Sequence, residues 1–388
     1  MMSVSMGRRL GMILFTCLFH AGVSAQDASP LTVTAAYTVE SDQTGYPAGT
    51  VTDQVGKAEL GLLFHTLQGL QSFDVDAHFD NYQYQTETDQ DHTEANYTAG
   101  WKWAVTPRLT GNVDAMQAET PRASAIYGPG PNRQTQTHYS ADAQYEVDGP
   151  WHVIAGVSQD KHSSQYTDPS NPDTQSNSED LGLRYDFSSG SWIRLSVISV
   201  NGNYLSDGTA AFAATGDSYR QLEEDLRLHW LLRADTSADA YITQISRTDQ
   251  YNTQLNFSGF NYGASGNWAI TQRSSLVAGY LHELSIDLEP AALFTTRDAL
   301  NWGVNWQIGN WVQLQLRQTL EQLGFRVQPG DSTNVRQDSS HDTSLALVWM
   351  AGRRWQVSAA VQQQEHSSTL AGQGYTGQQI SLSTQLSF

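Results

Sequence analysis

Segments of alternating polarity, joined in turn by short and long connections, run through most of this sequence. Leu300, Trp302, Val304, Trp306 and Ile308 alternate with Asn301, Gly303, Asn305 and Gln307. Phe73, Val75, Ala77 and Phe79 alternate with Asp74, Asp76, His78 and Asp80. Leu181, Leu183, Tyr185 and Phe187 do the same with Asp180, Gly182, Arg184 and Asp186. Successive side chains of a strand point to opposite faces, so each segment has one apolar face and one polar face.

The connections carry the second constraint. Short ones fall at 66–71, 106–108, 148–150, 188–191, 234–237, 271–274, 309–310 and 351–354. Between them lie longer stretches rich in Gly, Pro, Asn, Asp and Ser, at 42–55, 85–92, 120–134, 163–177, 201–217, 288–297, 324–340 and 365–376. Such stretches read as loops. Successive short turns lie about 40 residues apart, the period of a propeller blade, but a blade needs four short strands per period. Each period here holds two alternating segments of about 10 residues, the pattern of a membrane barrel. The sequence therefore predicts an all-β, transmembrane, antiparallel up-and-down β-barrel of about 18 strands, with about 16 as the alternative count. Both termini fall on the periplasmic side.

Composition narrows the choice. Only 16% of residues are charged, against about 25% in soluble domains. The formal charge of −19 argues against nucleic acid, which needs a basic face. The one cysteine, Cys17, excludes a disulfide scaffold. Arg8 and Arg9, an apolar run over 10–19, and the small-residue site Val23-Ser24-Ala25 together read as a secretory signal peptide. Residues 1–25 are thus a leader, cleaved near Ala25, and 26–388 form a single barrel. Removing the two arginines takes the charge from −19 to −21.

Parity assigns the faces. Candidate pore-lining residues are Lys57, Asp74, Asp76, His78, Asp80, Lys102, Asp114, Asp142, Glu146, Arg184, Arg194, Glu223, Asp225, Arg227 and Arg317, with Asp180 and Asp186 beside them. That lumen is polar and net acidic, which favours cations and disfavours polyanions. Trp101, Trp103, Trp151, Trp192, Trp230, Trp268, Trp306, Trp311, Trp349 and Trp355 sit close to short turns, as a membrane girdle would. Ile380, Leu382, Leu386 and Phe388 share one face of the last segment. A terminal phenylalanine closing such a strand resembles the assembly signal of outer-membrane barrels. The stretches 201–217 and 324–340 are the longest candidates for a loop that narrows the pore.

Other motifs dissolve on inspection. Gly372, Gly374 and Gly377 match a dinucleotide fingerprint but precede a strand, where the fingerprint needs a helix. Asp74, Asp76, His78 and Asp80 lie about 7 Å apart along one strand face, so a chelate would need neighbouring strands. No metal, cofactor or catalytic residue is assigned.

The run Phe79-Asp80-Asn81-Tyr82, and the stretch from Asn96-Tyr97 through Trp101-Lys102-Trp103 to Thr106-Pro107-Arg108-Leu109-Thr110-Gly111, resemble EpsL-type outer-membrane proteins. These are β-barrel proteins encoded with exopolysaccharide genes. The region 298–388, with Trp355-Gln356-Val357 and a final Gln385-Leu386-Ser387-Phe388, is similar to the same family. The resemblance implies a passive outer-membrane channel that exports a polysaccharide. Its partners would be outer-membrane lipid, the polysaccharide chain, inner-membrane or periplasmic synthesis and export proteins, and the barrel assembly machinery. The alternative is a general or solute-selective diffusion porin. A barrel enzyme is a remote third, which would need a Ser or Asp beside a His near the outer rim.

Overall fold

The computed structural model describes residues 30–46, 49–122, 132–165, 173–205, 218–250, 252–286, 293–326 and 335–388. The leader assigned to 1–25 lies outside them, as do the central parts of the two stretches considered as inward loops. Among the described residues, eighteen strands form one antiparallel sheet that closes on itself. They are β1 (Leu31–Tyr46), β2 (Gly49–Gln68), β3 (Gln71–Tyr84), β4 (His92–Thr106), β5 (Leu109–Arg122) and β6 (Asn132–Asp148). Then come β7 (Trp151–Ser164), β8 (Asp173–Asp186), β9 (Trp192–Leu205), β10 (Ser218–Arg233), β11 (Thr236–Asp249) and β12 (Phe257–Thr271). The last six are β13 (Ser274–Ile286), β14 (Phe294–Ile308), β15 (Val312–Arg326), β16 (Arg336–Met350), β17 (Trp355–Ser368) and β18 (Tyr375–Ser387).

Each strand pairs with its sequence neighbours, and β1 pairs with β18 from Thr34 opposite Ser387 to Gly45 opposite Thr376. Two backbone hydrogen bonds between Val33 and Phe388, 2.8 and 3.2 Å, extend this seam. Closure satisfies every edge, which a sheet in hydrocarbon requires. The short turns gather at one end. Gly69 and Gly149 sit there at φ of 63° and 53°, a left-handed conformation that glycine adopts without a Cβ clash.

Register fixes the two faces. Directly opposed residues share a face, so the ring Thr34, Gly61, His78 and Asn96 lines one side. Thr34, Asp80, Ser196 and Asp225 on that inner side are buried. Val39, Leu60, Leu62, Leu181, Leu195 and Leu382 on the other side are exposed. This is the face a barrel presents to lipid.

The strands run from 13 to 20 residues, longer than the segments of about 10 expected for a membrane crossing. The extra length lies toward the long-loop end. There the outward positions turn polar, as at Gln159, Asn177, Glu179, Asn201 and Glu224. Gln159 Nε2 donates to Asn177 Oδ1 at 2.9 Å across two strands. Where water meets both faces, pairing continues but alternation disappears, so Asn177 and Asn201 read as loop.

Candidate pore lining

All fifteen candidate lumen residues occupy the inner face by register. They fall into sectors that strand order, rather than sequence order, brings together.

On β2 and β3, Lys57 Nζ lies 3.1 Å from Glu59 Oε2 and 3.1 Å from Asp80 Oδ2. The ring of His78 sits between two carboxylates, with Nε2 2.6 Å from Asp76 and Nδ1 3.2 Å from Glu59. Lys57 also faces the Tyr82 ring at 5.4 Å, and Tyr82 stacks on His92 at 4.6 Å. His92 in turn meets Glu94 at 3.2 Å. Nearer the short-turn end, His65 Nδ1 lies 2.5 Å from Asp74. Across the seam, Gln379 Nε2 donates to Glu40 at 2.9 Å.

On β5 to β7 the wall is more open. Asp142 accepts from Asn112 Nδ2 at 3.1 Å. Asp114 faces the lumen opposite Gly100. His138 Nδ1 meets Asp160 at 2.7 Å.

The register then aligns Arg184, Arg194 and Arg227 in one row across β8, β9 and β10. Each arginine is neutralised by a carboxylate from its own or the adjoining strand. Arg184 Nε meets Asp186 at 2.6 Å, Arg194 pairs with Asp180, and Arg227 Nε meets Asp225 at 2.8 Å. Asp225 is 1% exposed and also accepts from Thr243 Oγ1 at 2.6 Å. A further arginine, Arg297, spans Glu283 at 3.2 Å and Glu321 at 2.9 Å. Arg317 lies across Gly303, where an added Cβ would meet its Cδ at 2.5 Å, and donates to Asn305 Oδ1 at 2.6 Å. The arginines and Lys57 of this wall are thus engaged, while Asp114 and Asp342 form no ion pair among the described residues.

Several lumen groups were not among the candidates: Glu59, Asp160, Glu283, Arg297, Glu321 and Asp342. Glu59 shares parity with Lys57 and was legible by that rule. Arg297 falls in a stretch that reads as loop, so its parity was hidden. Among the described residues no group of three or more His, Cys, Asp or Glu is placed to hold a metal ion.

The tryptophans divide differently from the expectation. Trp101, Trp151, Trp230, Trp268, Trp306, Trp349 and Trp355 are exposed on the outer face near the short turns. Phe73 stacks on Trp101 at 5.7 Å, and Trp349 lies 6.3 Å from Trp355. Trp103 shares their face, with its ring over Gly111, and Trp311 is exposed within the 309–311 turn. Trp192 is the correction. It stands opposite Asp186 and His229 and shares parity with Arg194, so it faces the lumen. Its ring lies 5.7 Å from His229 and 5.1 Å from the Arg184 guanidinium. Nearness to a turn does not decide which face a side chain takes; parity does.

A closed barrel of this strand number with a charged inner wall and an apolar outer wall defines a membrane-barrel architecture. No protein-family model matches the chain, and no curated protein sequence does. Solved structures do match. The barrel is similar to Pseudomonas aeruginosa OccK1 (OpdK), with a TM-score of 0.51 and 9% identity over 92% of this chain and 99% of that one. It is similar to Pseudomonas aeruginosa OpdO, with a TM-score of 0.52 and 12% identity over 92% and 97%. OccK2 (OpdF) of the same organism, in complex with glucuronate, gives a TM-score of 0.52 and 10% identity over 92% and 98%. OpdK is an outer membrane protein of that organism. At these identities the neighbours show the fold, a closed β-barrel, and they lend nothing to the EpsL-type exopolysaccharide assignment that the sequence resemblance implies.

Proposed function

We propose that this chain is a solute-selective diffusion channel of a Gram-negative outer membrane, with a preference for cationic or neutral polar solutes. The short-turn end then faces the periplasm and the long loops face outward. The observation that carries the reading is the inner wall itself. Lys57, Arg184, Arg227 and Arg297 are held by carboxylates, carboxylates outnumber basic groups on this face, and Asp114 and Asp342 form no ion pair among the described residues. A fixed negative excess lowers the energy of a cation in the lumen and raises that of an anion. Passage is passive: the wall offers hydrogen bonds and charge, and the gradient supplies the direction. Small solutes are favoured over a polymer because two solved barrels of this fold were crystallised with glucuronate and with vanillate. The chemistry of those two ligands belongs to those proteins; the charge of this lumen points to a different solute class.

The test is reconstitution of the full chain in planar bilayers across a KCl gradient. A reversal potential of the cation-selective sign, moved toward zero by Asp114→Asn together with Asp342→Asn, is the expected result. An anion-selective channel would sink the charge argument. In parallel, deletion of the gene with measurement of extracellular polysaccharide separates export from diffusion. Loss of secreted polymer would return the export reading to first place.

A further inference from the structure

We infer that a groove on the outer face of β11 to β13 binds an anionic phospholipid of the periplasmic leaflet. The inference rests on the membrane reading above. A cavity of about 500 Å³ lies there, lined among others by Leu232, Arg233, Ala238, Trp268, Leu276 and Ala278.

The register explains the cavity. Ala238 stands opposite Gly266, and Gly266 opposite Ala278, so three small side chains lie abreast on adjacent strands. Trp230 flanks this row on β10 and Trp302 flanks it on β14. One row further from the turns, Ala240 stands opposite Ala264, and Tyr280 bounds them. The result is a trough with a floor of alanines and a glycine between walls of large rings. Its shape suits an acyl chain lying along the barrel.

Charge selects the head. Arg233 lines the foot of the trough at the short-turn end, and it makes no ion pair with another described residue. It belongs to a rim where basic side chains dominate: Arg108, Arg233, Arg273, Arg353 and Arg354 lie in or beside the short turns. The outward carboxylate side chains in those turns are Asp148 and Asp235, while Asp74, Glu146, Asp186 and Asp239 near them face inward, three of them beside His65, Arg184 and His229. A second copy in the same membrane orientation would bring this rim against an equally basic rim. A phosphate-bearing anionic headgroup is complementary, and basic groups at a leaflet surface attract such lipids. Trp230 and Trp268, close to the short turns, sit at the headgroup level, where amphipathic rings are favoured.

The experiment is native mass spectrometry of the full chain, purified in an uncharged detergent and offered phosphatidylglycerol or phosphatidylethanolamine. Retention of phosphatidylglycerol above phosphatidylethanolamine is expected in the wild type. Arg233→Gln should cut that retention about fivefold, the effect of one basic group at a lipid surface. Gly266→Leu should abolish it by filling the floor. Gly266 has ordinary backbone, and an added Cβ meets only the Ser237 carbonyl oxygen, at 3.5 Å, so this variant should fold. Ala278→Leu is the second filler should it not. Equal retention by wild type and variants overturns the site, and so does equal retention of the two lipids. A wild-type dimer that Gly266→Leu makes monomeric, read by light scattering, also overturns it by naming a second copy as the occupant. Conductance of both variants should match wild type. Lost lipid with intact conductance separates this inference from the channel reading.

Discussion

The Arg184 guanidinium lies 5.1 Å from the centre of the Trp192 ring, on the inner wall near the short-turn end. His229 lies 5.7 Å from the same ring. Trp192 therefore meets water while the outer-face tryptophans meet lipid. In vesicles containing brominated lipid, the wild-type tryptophan emission should be strongly quenched except for a residual part. Trp192→Phe should remove a component quenched by acrylamide in the aqueous phase and leave the lipid-quenched part unchanged. If Trp192→Phe instead lowers the lipid-quenched component, the inward placement is wrong.

Asp225 is the most buried carboxylate of the wall, holding both Thr243 and Arg227. Asp225→Ala leaves a hydroxyl and a guanidinium without their acceptor. Losing hydrogen bonds to a buried charged group costs about 1–3 kcal/mol. Urea unfolding of the barrel in vesicles should show a loss of that size, whereas Asp114→Ala, at an open position, should change stability little. Equal stability of both variants would contradict the pairing.

Arg297 keeps Glu283 and Glu321 neutralised from between. Arg297→Gln removes one positive charge and leaves two carboxylates on the wall. The channel should become more cation-selective, with the reversal potential moving further from zero in a KCl gradient. A shift toward anions would mean that these carboxylates do not face the conducting path.

Much of the barrel was legible because lipid and water impose opposite demands on neighbouring residues. Leu300 to Ile308 reads cleanly since every second side chain meets hydrocarbon. Strand ends were hidden for the complementary reason: Asn177 and Asn201 stand opposite one another and outward where both faces are wet, and no period survives. Trp192 shows a different failure. Its parity with Arg194 was present in the sequence, but nearness to a turn was given more weight. The pairing of Arg297 with Glu283 and Glu321 was beyond reach, because those contacts depend on register between strands, and a one-residue slip would send each partner to the other face.

The seam between β1 and β18 has a consequence for how such a chain comes to exist. Thr38 donates to Ser383 at 2.8 Å across a separation of 345 positions. Every other strand pair joins sequence neighbours, so those hairpins can close locally. The seam cannot. Until β18 is brought round to β1, the two terminal strands each offer an unpaired row of backbone groups, an invitation to wrong partners. Contacts this distant are also the slowest to form. The unclosed barrel is thus an open ribbon whose two edge strands stay exposed until the last pairing forms.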